Sequence, residues 1–149
     1  MRKSEILQRW VEEILKHYPI RVQEVTGYVS EAAEKILDGI LNAYSAGEFS
    51  EGFEDAVDDL MRFLATERNY KPSESVGLLF ELYEMLKREM GLDEGEQLRM
   101  LNVMIAASLK AFDRYMSCRE KLYELRVKEK DKELEALRKV VFYHEKFKS

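Results

Sequence analysis

Apolar positions recur at helical spacing along nearly the whole chain. After Ser4, a candidate N-cap, the residues Ile6, Leu7, Trp10, Val11, Ile14, Leu15 and Tyr18 share one helix face, and Pro19 stops the pattern. A connector through Gly27 leads to Ser30, the cap of a second stripe of Ala33, Ile36, Leu37, Ile40, Leu41 and Tyr44. Gly47 follows it, at the position where a helix end wants a left-handed residue. Ser50 opens a third helix with Phe53, Ala56, Val57, Leu60, Met61 and Leu64 inward. It runs out before Pro72, which pushes the preceding residue out of the α region. Ser73 caps a fourth helix that carries Val76, Leu79, Phe80, Leu82, Tyr83, Leu86 and Met90 to Gly91. Asp93 caps the fifth and most apolar one, with Leu98, Leu101, Val103, Met104, Ile105, Leu109, Phe112, Tyr115 and Met116.

Neither Gly nor Pro occurs after Gly95, so the fifth helix continues, unbroken or with a soft break, through Leu122 and Leu125. Residues 128–133 have no apolar face and read as a solvated spacer. Val127, Leu134 and Val141 recur every seven residues, with Leu137 and His144 at the complementary positions and Lys130 interrupting them. Such a helix packs on something, either its own body or a partner chain. No segment has strand period, and no internal repeat is visible. The pattern predicts an all-α bundle of five to six helices with a long C-terminal helix. It divides into a body over 1–125 and a helical extension over 126–149.

Composition agrees with that reading. Of 149 residues 46% are hydrophobic and 36% charged, with 7 Gly and 2 Pro, which suits one helical domain with a buried core. No run approaches the ~20 apolar residues of a membrane span, so no membrane insertion is expected. The N-terminus meets an acidic amphipathic pattern instead of a signal-peptide core, and one cysteine makes no disulfide framework; both point to the cytoplasm. The net charge of −5 is uneven. Residues 119–148 carry 10 Lys/Arg against 7 Asp/Glu, and the rest of the chain 14 against 22. An acidic body lacks the concentrated basic face that nucleic acid requires, and the tail's charges alternate in sign as on a solvated helix.

Candidate chemistry is sparse. His17 stands four residues from Glu13, a spacing that serves a metal or, more commonly, an i, i+4 ion pair. The paired Glu-x-x-His motifs of a di-iron bundle are absent, and no histidine lies between residues 18 and 143 to hold a haem. Cys118 has no second cysteine; beside Arg119 it is a possible redox thiol or a small apolar residue at a helix end. The Gly91–Gly95 loop lacks a lysine and is acidic, unlike a phosphate loop. Serines 30, 50, 73 and 75 serve better as caps than as nucleophiles. Met61, Met85, Met100 and Met104 sit at core spacing, with an adaptable apolar pocket as the alternative. Glu67, Arg68 and Tyr70 form a candidate polar tip, read either as a helix-end arrangement or as a face toward a pocket or partner. No catalytic constellation, cofactor site or metal site is expected.

The order of features resembles a known family. Ile-Leu-Gln-Arg-Trp at 6–10 with Tyr-Pro at 18–19 comes first, then Ile-Leu-Asn-Ala-Tyr-Ser-Ala-Gly at 40–47. Arg62 and the run from Glu67 to Val76 follow, then Leu-Phe-Glu-Leu-Tyr-Glu-Met-Leu-Lys at 79–87 and a long final helix. Over about residues 4–125 this is similar to the RsbRD N-terminal family, the sensory domain of RsbR-type stressosome proteins, a globin-like fold that binds no haem. The resemblance implies a dimeric input domain whose last helix feeds a STAS domain. This sequence stops at Ser149 without one, so the expectation is action through the tail on a separate partner. The family supplies no catalytic residues to carry over.

The resulting expectation is a non-enzymatic sensory or regulatory module. It forms a homodimer and engages a regulatory or STAS-type protein through Phe112, Tyr115, Met116, Leu122, Leu125, Leu134, Leu137 and Val141. An accessory or structural subunit of a larger assembly is the alternative.

Overall fold

The computed structural model describes residues 2–18, 21–67 and 70–148. Five α-helices follow in order: α1 Lys3–Ile14, α2 Gln23–Ala46, α3 Phe53–Thr66, α4 Pro72–Met90 and α5 Glu94–Lys148. No strand occurs among the described residues, so the fold is an all-α bundle with a long C-terminal helix. Two compact units are present, Met1–Cys118 and Arg119–Ser149.

Several helix starts differ from the serine-based expectation. Helix α1 begins at Lys3 with Arg2 at its N-cap, which leaves Ser4 inside the first turn. Helix α2 begins at Gln23, seven residues before Ser30, and Gly27 lies within it. The cost of a helical glycine is only about 1 kcal/mol. Burying Val29 completely in the core outweighs it. Gly52, in the left-handed region at φ 86°, replaces Ser50 as the N-cap of α3. At α4 the first helical residue is Pro72 and Ser73 is internal; the Glu74 carboxylate reaches back to accept from the Lys71 N–H at 3.4 Å. Asp93 does cap α5: its carboxylate accepts from the Glu96 N–H at 2.8 Å, while Glu96 accepts from the Asp93 N–H at 3.1 Å. Gly47 and Gly91 take the left-handed C-terminal positions expected of them, at φ 86° and 59°. Helix α5 has no break over its 55 residues. The stop at Pro19 lies outside the described residues.

In the first unit α1 packs on α2 and α4, and α3 packs on α2 and α4. Trp10 is wholly buried and its indole N–H donates to the Leu78 carbonyl at 2.8 Å, which ties α1 to α4 and satisfies the ring's one polar group. Helices α2 and α3 come close at Gly39, where a Cβ would stand 2.4 Å from the Phe53 ring. Phe53 in turn stacks on Phe49 with centroids 4.2 Å apart, so it has no easy escape. All four methionines named above are in this core.

The buried face of α5 is not the one expected. Met100, Met104, Ala107, Ala111 and Tyr115 face the core, and the small Ala side chains let the helix come close. Leu98, Ile105, Leu109 and Phe112 are exposed. The apolar arc of this segment is wider than one packing face, and a sequence count could not tell which half would be covered. Phe80 on α4 is exposed for a similar reason: Ser75, Leu78, Leu79, Leu82, Met85 and Leu86 fill that helix's inner face. Among the described residues no helix is long and apolar enough to cross a membrane.

Candidate functional site

The residues expected on a partner-binding helix fall into two groups. Tyr115 is fully buried within this chain, and its hydroxyl donates to the Tyr70 carbonyl at 3.3 Å. It is therefore core and cannot serve as a contact with a partner. Met116 is partly buried and packs against the same core, while Phe112 is exposed. In the second unit Leu122 is half-buried, and Leu125, Leu134, Leu137 and Val141 are exposed. They are joined by Val127, already part of the seven-residue repeat, and by Tyr123, Val140, Phe142, Tyr143 and Phe147, which the sequence reading did not single out. Leu134, Leu137, Arg138, Val141, Phe142 and Glu145 line an open apolar depression of about 350 Å³. Residues 128–133 are exposed all round, with Lys130 reaching Glu133 at 3.7 Å.

A second candidate lies where the end of α1 meets the start of α4. Tyr70, expected at a polar tip, is 2% exposed; its hydroxyl donates to the Ile14 carbonyl, and Phe63 and His17 stand around its ring. Burial is the main reason its phenol is pushed above the ordinary value. Glu67 ends α3 at its C-cap, and Arg68 lies outside the described residues. The Glu13–His17 pairing does not form. His17 lies 3.1 Å from Glu74 instead, and Glu13 approaches Lys16 at 4.0 Å. Across from Glu13 stands Glu81, raised above the usual carboxylate range first by desolvation and then by the charge of Glu13. These groups line a cleft of about 180 Å³. Two opposed carboxylates with one histidine resemble a metal cluster only in composition: among the described residues no group of His, Cys, Asp or Glu has the geometry to hold a metal ion.

A third groove, of about 360 Å³, runs between α3 and α5 and is lined by Glu54, Lys110, Asp113 and Arg114 among others. Lys110 bonds Glu54 at 2.7 Å and holds its carboxyl below the usual range. Two bases balance two acids there, so the groove presents no net charge to a ligand. Cys118 is half-buried and packs against the core, as a small apolar residue does.

The body thus offers a packed core, a charge-balanced groove and an acidic cleft, with Leu98, Ile105, Leu109 and Phe112 left exposed on α5, and the tail offers a longer stretch of uncovered apolar surface. With that geometry in hand, relatives sharpen the picture. The chain is 42% identical over 144 residues to an uncharacterized protein of Archaeoglobus fulgidus, an overlap that covers 96% of this chain and 94% of the other. The chain belongs to the same family. No family model matches it, and no solved structure does. Because the overlap takes in all but a few residues, the family shared with the Archaeoglobus protein includes the tail as well as the body.

Proposed function

We propose that the chain is a non-enzymatic regulatory module of the RsbR-input type: a globin-like body that forms a homodimer in the cytoplasm and contacts a STAS-type regulatory protein through its C-terminal helix. One observation carries this reading. Between residues 119 and 147 no side chain is buried, yet leucines, valines and aromatics recur there at helical spacing. A helix gains most of its stability in water from packing an apolar face, so such a surface calls for a protein partner. The compact body and the order of motifs shared with the RsbRD N-terminal family support the rest.

The test is light scattering on the full chain, followed by capture of a purified STAS-domain protein. Leu134→Asp with Leu137→Asp is expected to abolish association while leaving the thermal transition of the body in place. A monomeric wild-type chain that captures nothing overturns the proposal.

A further inference from the structure

The second unit carries charge in a pattern that specifies how two copies would meet. If Val127, Leu134 and Val141 occupy the a positions of a heptad, Tyr123, Lys130, Leu137 and His144 take d. The flanking g positions are then Arg119, Arg126 and Glu133, and the e positions five residues later are Glu124, Asp131 and Arg138. In a parallel, in-register pair each g residue meets the e residue five positions on in the partner helix. Arg126 would face Asp131, Glu133 would face Arg138, and Arg119 stands in the same relation to Glu124. These three pairs all have opposite sign, although the order of signs reverses along the helix, while the fourth g position, Val140, meets Glu145 without a charge pair. A slip of one heptad breaks this match, since it brings Arg126 opposite Arg138.

We propose that residues 119–147 form a parallel, in-register two-stranded coiled coil with a second copy of this chain. The inference rests on the homodimer reading above and adds its orientation and register. Val127 and Val141 at a with Leu137 at d favour two strands, and Glu120 at the first a position with Lys130 and His144 at d are the polar breaks in the seam. The uncovered area also suffices. Tyr123, Val127, Leu134, Leu137, Val140, Val141 and Phe147 are 69, 40, 49, 61, 65, 55 and 79% exposed. With roughly 150–200 Å² for each fully exposed side chain, about 700 Å² is open, close to the ~800 Å² per partner of a stable interface. Lys130, the polar residue at d, already has Glu133 at 3.7 Å on its own helix, and its stem is long enough to keep the ammonium at the rim.

Two experiments on the full chain, with Cys118→Ser as background, test this. Leu137→Cys at d is expected to give a covalent dimer on mild oxidation, whereas Lys139→Cys, on the outward face, gives none. Arg126→Glu is expected to weaken dimerisation about tenfold, and Asp131→Arg in the same chain to restore it to within about threefold. Circular dichroism confirms that each variant is as helical as the parent. A dimer in which Leu137→Cys fails to cross-link, or Lys139→Cys cross-links as well, overturns the parallel register but not the homodimer; so does a double charge swap that rescues nothing. A wild-type chain that stays monomeric overturns both.

Discussion

The two units of this chain place their hydrophobic residues in opposite ways. Up to Cys118, Trp10, the inner faces of α1 to α4 and one half of α5 are buried against one another, and the tyrosines that enter the core bring hydrogen-bond partners with them. From Arg119 onward an equally helical segment buries none of its leucines, valines and aromatics, and only Leu122 among them is half-covered. The difference arises from chain reversal. The body has turns at Gly47–Gly52 and Gly91–Asp93 that bring one amphipathic face onto another, while the tail contains no breaker after Gly95 and cannot fold back on itself. Stability of the body is therefore intramolecular, and under the proposed dimer that of the tail depends on concentration.

Substitutions on either side of Cys118 ought then to act on separate transitions. Trp10→Ala has the largest expected effect, about 4 kcal/mol, because it empties a large core site and orphans the Leu78 carbonyl. Denaturant unfolding followed by circular dichroism should show the body's midpoint fall while a concentration-dependent transition of the tail stays put. If both move together, the two units are one cooperative structure. A smaller and reciprocal pair comes from exchanging glycine and alanine. Gly39→Ala drives a methyl group into Phe53 and is expected to cost the body about 1–3 kcal/mol. Ala136→Gly, on the exposed tail, touches no core and should lower only the tail's transition, by about 1 kcal/mol.

Helix content, a count of five to six helices and the left-handed ends at Gly47 and Gly91 were legible in the sequence because period and breakers are local signals. The starting residues were not. Ser4, Ser30, Ser50 and Ser73 look like caps, but α2 begins at Gln23 because Val29 gains a place in the core, and only tertiary structure decides that. Tyr70 was read as part of a polar tip and Tyr115 as an apolar contact with a partner; the carbonyls of Ile14 and Tyr70 that accept their hydroxyls lie 56 and 45 residues away in sequence. The opposition of Glu13 and Glu81 was hidden for the same reason. In the tail Val127, Leu134, Leu137 and Val141 were legible as a seven-residue repeat, whereas Val140, Phe142, Tyr143 and Phe147, which lie off that repeat, were not.

The carboxylate pair gives the finest contrast between the units, and its sign can be worked out. Glu81 has a folded-state pKa above its ordinary value of 4.5, through desolvation and through Glu13. At neutral pH its charge is therefore harder to hold in the folded chain than in the unfolded one, and it subtracts from stability. As pH falls through the raised value the folded chain takes up a proton first, and below 4.5 the penalty is gone. Glu81→Gln should thus stabilise the body at pH 7 by roughly a few tenths of a kcal/mol, after allowance for solvent screening, and the gain should vanish by pH 4. Glu129→Gln, on the fully exposed stretch of the tail, has no such opposed carboxylate and should leave the body's midpoint unchanged at either pH. A Glu81→Gln gain that persists at pH 4 would mean that shape or hydrogen bonding, not the repulsion between Glu13 and Glu81, sets the cost.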